Sequence, residues 1–295
     1  MHLVPFLIGL ETGIALGAVY ALVALSFTLV YAASGYLHFA LGTFVMLGSV
    51  GAYEASTHHI PIALGVGAVI IGGIVVGLFS WAIAVKGAAR NSTKMADSVL
   101  LATMGLAFAI TAIVAANFGS ITQVVTPYLP NRSIFLGSVP IVPLFIFVTV
   151  VALVAAVVLH FILQHTHVGV VLRACQESQE KTALLGINVG RVVLVVFGIA
   201  GGLAALSGFL VAPISGASAY SGTSLFVYGA AAMVIGGFGN FAGAAIGGLV
   251  IGMATGLAPA YLPASTTDLL ILGAMAALLL MRPSGLMGAR SARSF

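Results

Sequence analysis

The chain has 295 residues, of which 61% are hydrophobic and 5% are charged, and its formal net charge is +4. Soluble domains carry about 25% charged residues, so this composition excludes a soluble globular fold, and the apolar excess also excludes disorder. We expect a polytopic α-helical membrane protein, because transmembrane barrels consist of short alternating segments and the apolar runs here are long.

Seven stretches are long and apolar enough to cross a bilayer, which takes about 20 residues. They are 8–33, 62–85, 98–118, 139–163, 191–213, 240–261 and 266–281. Two shorter segments, 37–53 and 222–238, are rich in Gly, Ala and Phe and predict either short spans or re-entrant pieces. The expected fold class is therefore all-α, a polytopic transmembrane bundle of eight or nine segments, or ten, with short or broken Gly-rich helices.

Basic residues mark the cytoplasmic loops of membrane proteins. Nine of the ten fall within 86–94, 173–191 and 282–293, and the tenth is Arg132. With these three groups in the cytoplasm, the external loops are 54–61, 119–138, 214–221 and 262–265. The N-terminus is then outside if both short segments span, and inside if one is re-entrant. It lacks a basic region, so we interpret it as the start of the first helix and not as a cleaved signal.

Glycines recur at four-residue spacing in three ladders, which places them on one face of a helix and allows close approach of backbones. The ladders are Gly9, Gly13 and Gly17; Gly239, Gly243 and Gly247; and Gly248, Gly252 and Gly256. This pattern predicts either close packing within the bundle or an interface between two chains.

The chemistry that the sequence lacks narrows its function. No Asp, Glu, Lys or Arg falls in the middle of a predicted span, which argues against a proton relay or a sodium-coupled carboxylate, although helix-end groups leave an ion site open. No GxxxxGK[ST] loop is present, so any ATPase must be another polypeptide. The single cysteine, Cys175, excludes an internal disulfide, and no basic stripe indicates nucleic acid.

Two histidine clusters, one at 160–167 and one at 58–59, favour polar residues at the membrane interface over a metal site. Metal sites need convergent ligands, and no Cys or carboxylate lies at ligand spacing in either cluster. We therefore expect no metal site and no catalytic residue.

Residues 173–191 are unusually polar for this chain. Residues 176–185 can form a short amphipathic helix, and Gly186 is placed as its C-cap, with Asn188 following. Polar side chains share one side of this helix and leucines supply apolar contacts. The pattern predicts a docking helix for a cytoplasmic partner, with a solvated loop as the alternative.

Four segments resemble one family. Residues 16–48, 173–188, 234–252 and 281–288 are similar to the first helix, the coupling segment, the Gly-rich signature and the closing segment of the smaller (LivH-like) permease of bacterial ABC importers for branched-chain amino acids. The family's Asn-Phe-Ala-His-Gly-Glu element reads His-Phe-Ala-Leu-Gly-Thr here, at 38–43. This departure removes a carboxylate and puts the family's usual substrate in question.

The resemblance implies a single transmembrane permease domain over 1–295, with a cytoplasmic coupling loop at about 165–190 and a cytoplasmic tail at 282–295. It implies the bacterial inner membrane, a bundle like that of the large ABC importers, and a transport subunit that is not an enzyme. The implied partners are a second, LivM-like permease, two cytoplasmic P-loop ATPases that hold ATP and Mg, and an external binding protein. This chain itself would bind no cofactor.

The implied cargo is a branched-chain or related small, amphiphilic amino acid. Two alternatives stay open. One is an ABC permease for amides, urea or sugars, and the other is a stand-alone secondary transporter or channel for a small solute.

The implied site residues form three sets. The ATPase-coupling set is Arg173, Glu177, Glu180, Lys181, Leu184, Gly186 and Asn188. The pathway-lining candidates, for which helix packing is the alternative, are His38, Phe39, Gly42, Thr43, Ser215, Ser218 and Thr223. The Gly-rich signature is Gly236, Gly237, Gly239, Asn240, Gly243 and Gly247, and its first four residues are interpreted as a structural turn near the cytoplasmic side, close to the motor.

Overall fold

The computed structural model describes residues 3–86, 95–119, 121–129, 134–136 and 139–261, with a few more between 269 and 287. Its helices are α1 (Leu3–Ser34), α2 (Leu41–Thr57), α3 (Ile62–Trp81), α4 (Met95–Phe118), α5 (Pro143–His165), α6 (His167–Glu177), α7 (Gln179–Leu184), α8 (Val189–Ser215), α9 (Ser221–Gly236) and α10 (Phe241–Tyr261). A π-helical turn (Ala82–Lys86) extends α3. Strands β1 (Ile134–Leu136) and β2 (Val139–Ile141) pair antiparallel before α5, with Ile134 opposite Ile141.

Within the described residues, six helices are long and apolar enough to cross a membrane. They lie in α1, α3, α4, α5, α8 and α10 and correspond to six predicted spans. The predicted span 139–163 begins too early, because residues 139–141 pair in β2. Segment 266–281 lies largely outside the described residues, so the total number of membrane segments stays a prediction.

The two short segments are helices of 17 and 16 residues, α2 and α9. Residues 35–40 leave the end of the bundle that holds α7. Together with α2, which follows them, they reach the opposite end. There Ala55 joins a buried cluster with Phe209 and Ala212, near the last turn of α8. This path favours a crossing over a re-entrant loop for α2.

Helices α1 and α10 pack antiparallel through two of the predicted glycine ladders. A Cβ on Gly9 would lie 2.9 Å from the carbonyl oxygen of Gly256, and a Cβ on Gly252 would overlap the Cα of Gly17. The two ladders therefore face each other within one chain, which is the first of the two readings that the spacing allowed.

The third predicted ladder does not form. Gly239 lies outside α10, in a turn at φ +77°. Gly243 and Gly247 do lie on α10, where they pack against the backbone of Gly236 and Ala232 of α9. Regular spacing in sequence misled here because a turn interrupts the helix.

Two segments of the chain repeat one pattern. The first covers most of α1 and the residue after it, and the second covers most of α8 and the residue after it. Residues 17–35 and 198–216 are identical at nine of nineteen positions, at a constant separation of 181. In each copy a long helix ends at Ser-Gly, the glycine has a positive φ (75° and 79°), and a short helix follows. A long helix and a short helix therefore form a repeated unit, which the sequence analysis overlooked.

The two units run in opposite directions. Gln179, just before α8, donates from Nε2 to the carbonyl of Ala33 at 2.8 Å, so α1 ends where α8 begins. Helix α1 packs on α10 as α8 packs on α3. Gly48 of α2 has no room for a Cβ against Ala205 of α8, and Gly229 of α9 has none against Val23 of α1. The short helix of each unit thus crosses the long helix of the other at nearly equivalent points.

Candidate functional site

A cavity of about 290 Å³ opens where α2, α4 and α9 meet. Both short helices begin at its wall. A Cβ on Gly42 would lie 2.9 Å from the carbonyl oxygen of Gly222, and a Cβ on Gly222 would overlap the carbonyl of Gly42. Only glycine at both positions allows the two helix starts to meet, because the opposing atoms are backbone.

The walls of this cavity are apolar, and none of the described residues that line it is charged. Phe39 and Phe226 stack with ring centroids 5.4 Å apart, and Phe27 of α1 meets Phe226 edge-on at 5.2 Å. Hydroxyl groups come from four lining side chains, Thr43, Thr111, Tyr220 and Thr223. Apolar walls with a few polar groups are typical of sites for small ligands.

Four of the seven predicted lining residues border the cavity: Phe39, Gly42, Thr43 and Thr223. Ser215 and Ser218 do not line this cavity, so their place on the pathway stays a prediction. Ser215 donates back to the carbonyl of Val211 in the last turn of α8. Ser218 accepts from the N–H of Tyr220 at 3.3 Å and holds the turn before α9.

His38 also lies outside this cavity, so its place on the pathway stays a prediction. It is 2% exposed, its Nε2 lies 2.5 Å from Oγ of Ser80, and its ring packs against Phe44 and Phe197. The next residue, Phe39, faces the cavity while its N–H donates to Oγ1 of Thr103. His38 therefore ties the link between α1 and α2 to α3.

At the other functional region, the predicted helix over 176–185 is broken at Ser178. This residue is extended (φ −166°, ψ 116°), and its hydroxyl accepts from the N–H of Lys181 at 3.2 Å, which makes it the N-cap of α7. Gly186 ends the helix with φ +80°, and its N–H donates to the carbonyl of Ala183, as the C-cap prediction required.

All seven residues of the predicted ATPase-coupling set are exposed, and two of their side chains also make hydrogen bonds within the chain. Arg173 donates from Nη1 to the carbonyl of Leu163 at 2.8 Å, and Oδ1 of Asn188 accepts from the N–H of Arg191 and caps α8.

Two amides that the sequence analysis did not single out attach this segment to the bundle. Gln179 bonds the end of α1, as described above, and Gln176 donates to the carbonyl of Gly239 at 3.3 Å. Nothing in one sequence distinguishes these glutamines from solvated ones, because their acceptors are backbone carbonyls far along the chain.

Residues 237–240 of the Gly-rich signature form the turn between α9 and α10, whereas Gly236 ends α9 and Gly243 and Gly247 lie on α10. Gly237 and Gly239 have φ of 105° and 77°, values that glycine adopts without strain. Oδ1 of Asn240 accepts from the N–H of Gly243 at 2.9 Å and caps α10, while Nδ2 of Asn240 donates to the carbonyl of Met287. The turn faces Gln176 and so adjoins the α6–α7 segment.

The histidines of the two sequence clusters have ordinary neighbours. His165 stacks on Phe161 at 4.4 Å, and Nε2 of His58 lies 3.4 Å from the carboxylate of Glu54. In the described part of the chain, no three His, Cys, Asp or Glu side chains gather as metal ligands would.

The family of this chain follows from its similarity to known proteins. The sequence model of one protein family, the permease component of branched-chain amino acid transport systems, matches residues 9–280. The chain belongs to this family. The prediction from the four segments is therefore confirmed, and with six apolar helices the permease is a multi-pass protein of the bacterial inner membrane. Its role is that of a transport subunit, an ABC-importer permease.

Several curated relatives are permeases. The high-affinity branched-chain amino acid transport system permease protein LivH of Escherichia coli is 30% identical over 96% of each chain. BraD of Pseudomonas aeruginosa, a permease protein of the same description, is 27% identical over 95% of this chain and 94% of its own. The ribose import permease protein RbsC of Haemophilus influenzae is 28% identical over 80% of this chain and 72% of its own. No solved structure matches the chain.

Proposed function

We propose that this permease forms half of the translocation pathway for branched-chain or related small, amphiphilic amino acids. The observation that carries the proposal is the uncharged cavity at which α2 and α9 both begin. An aliphatic amino acid needs apolar walls and few polar groups, whereas a sugar presents many hydroxyls that would need partners. Four lining hydroxyls among aromatic walls favour the amino acid over ribose, the cargo in the name of one relative.

A second, LivM-like permease would supply the other half of the pathway. The cavity opens at the side of the chain, where Phe108 and Tyr220 of its wall are 71% and 54% exposed. An external binding protein would deliver cargo, so the cavity need not bind it tightly.

Two cytoplasmic ATPases that carry ATP and Mg would dock on the α6–α7 segment. Leu184 and Leu185 at the end of α7 are 87% and 77% exposed, in a segment that the basic residues place in the cytoplasm. Exposed leucines beside charges indicate a protein interface in such a place. Movement of α7 would reach α1 through Gln179 and the α9–α10 turn through Gln176.

Charge reversal tests the docking. In Glu177→Lys and Glu180→Lys we expect loss of uptake and loss of the ATPase stimulation that loaded binding protein causes, because the interface would meet like charge. Glu54→Lys, at the opposite end of the bundle, is the matched control and should keep both activities. Normal uptake in both cytoplasmic variants would refute the docking role.

Cargo is tested with the assembled importer in proteoliposomes. We expect ATP-dependent uptake of labelled leucine, with competition by valine and isoleucine and none by ribose. Uptake of ribose without uptake of any branched-chain amino acid would overturn the proposed cargo.

A further inference from the structure

A threonine near the start of each short helix lines the cavity, although the two are not equivalent positions of the repeat, since its separation of 181 pairs Thr43 with Ser224. Each short helix begins with Gly-Thr, as Gly42-Thr43 in α2 and Gly222-Thr223 in α9, and both threonines line the cavity. The two glycines touch, so the threonines flank the point where the two inverted units meet. An aromatic ring precedes each pair, Phe39 in one unit and Tyr220 in the other.

The two hydroxyls differ in what they offer a ligand. Oγ1 of Thr43 donates its proton to the carbonyl of Ala40 at 2.7 Å, so only its lone pairs remain and it can accept. The side chain of Thr223 makes no hydrogen bond with the described residues and is exposed in the cavity, so its proton is free to be donated. The inverted units therefore place an acceptor and a donor on either side of one contact.

We propose that these hydroxyls bind the two ends of a zwitterionic α-amino acid, Thr43 the ammonium group and Thr223 the carboxylate. The aliphatic side chain then lies against the stacked rings of Phe39 and Phe226. The inference rests on the proposed function and adds to it the orientation of the cargo.

A zwitterion fits this cavity better than a singly charged solute does. A net charge in an apolar site needs an opposite charge close by, and no described lining residue is charged. A zwitterion carries no net charge, and each of its ends needs a hydrogen-bonding partner of the right kind. Thr43 supplies the acceptor and Thr223 supplies the donor.

The test uses the complete importer, purified with its partner subunits and without the binding protein, so that binding reports the permease. Labelled leucine is bound in a scintillation proximity assay and competed with two analogues. One is 4-methylpentanoate, which lacks the ammonium group, and the other is 3-methylbutylamine, which lacks the carboxylate. The variants are Thr43→Val and Thr223→Val, and Thr149→Val of α5 is the control, because Thr149 does not line the cavity and its hydroxyl donates to the carbonyl of Phe145 in its own helix.

We expect each of the two valine variants to weaken leucine binding about tenfold, the usual effect of losing a hydrogen bond to a charged group. Thr43→Val should leave the affinity for 4-methylpentanoate unchanged, and Thr223→Val should leave the affinity for 3-methylbutylamine unchanged. Thr149→Val should bind leucine as the wild type does. Thr43→Ser and Thr223→Ser should restore leucine binding, which separates loss of the hydroxyl from misfolding.

Three results would overturn the orientation: an equal loss in Thr149→Val, unchanged binding in both test variants, or no leucine binding by a wild-type importer that takes up leucine in proteoliposomes. The last result leaves the proposed function standing. Absence of uptake of any branched-chain amino acid by the reconstituted wild type would instead refute the proposed function, and with it the orientation.

Discussion

The imidazole of His38 shows how a single buried side chain positions a wall of the cavity. Its bond to Ser80 holds the link between α1 and α2 against α3, and Phe39, the next residue, reaches the cavity from that link. The sequence motif at 38–43 suggested that both residues face cargo. Consecutive side chains of a non-helical link point in different directions, and sequence alone does not say which of them points to the cavity.

Removing the partner of this imidazole should destabilise the protein. In Ser80→Ala the Nε2 of His38 loses its partner while it stays buried, which costs about 1–3 kcal/mol. We expect a lower unfolding temperature in detergent, measured by static fluorescence of the purified complex. Ser224→Ala, at an exposed position of α9, is the control and should not change it. Equal unfolding temperatures for the two variants would contradict the assigned role of the bond.

At the scale of whole elements, glycine contacts between backbones hold the helices together. Gly252→Ala would push a methyl group into the backbone of Gly17, which side-chain movement cannot relieve. We expect this variant to be poorly recovered from membranes. In Gly72→Ala of α3 the new methyl group meets nothing within 4 Å, and alanine favours a helix by up to about 1 kcal/mol. This variant should be recovered like the wild type, and similar recovery of both would contradict the packing.

The break between α6 and α7 gives a second prediction about an element. Ser178→Ala removes the N-cap of a six-residue helix, a loss of about 0.5–2 kcal/mol. We expect slower uptake with little change in unfolding temperature, because α7 is short and lies at the surface. Ser178→Asp, which keeps an acceptor at the cap, should restore uptake. An uptake rate in Ser178→Ala equal to that of wild type would show that the shape of α7 does not matter for coupling.

Hydropathy predicted the long helices to within a few residues, because length and apolar character are all that crossing a membrane requires. It did not predict the break at Ser178, where a side-chain cap competes with continuation of the helix. The four-residue spacing of glycines was misleading at Gly239, which continues the spacing of α10 but lies in a turn. Thr43 and Thr223 were predicted as lining residues, but the sequence did not show that they lie on either side of one contact, between Gly42 and Gly222.

For the whole molecule, the two ends of α8 should lie on opposite sides of the membrane. The helix is 27 residues long, about 40 Å at 1.5 Å per residue. Leu184 lies just before its start, and His58 lies at the end of the bundle where it finishes. Cys175 is the chain's single cysteine, and burial raises the pKa of its thiol. At neutral pH little of it is the reactive thiolate, so the background of maleimide labelling is low.

Labelling with a membrane-impermeant maleimide checks this orientation. In cells that produce this chain without its ATPase partners, which would cover Leu184, we expect His58→Cys to react in intact spheroplasts and Leu184→Cys to stay unlabelled, and the reverse in inverted vesicles. The unmodified chain, labelled in parallel, measures the reaction of Cys175. Labelling of both new cysteines from the same side would refute the crossing of α8 and the cytoplasmic position of α7.

The inverted repeat also has a consequence for descent. Nine identities in nineteen residues at one constant separation point to a duplicated gene segment, whose two products now insert in opposite directions. Opposite insertion requires an odd number of crossings from the start of one copy to the start of the next, and α1 to α5 supply five if α2 crosses. An ancestral protein that inserted into the membrane in either direction would have carried few basic residues to orient it. Arg173 and Lys181 now precede the second long helix and Arg191 lies in its first turn, where positive charge favours a cytoplasmic start for that helix.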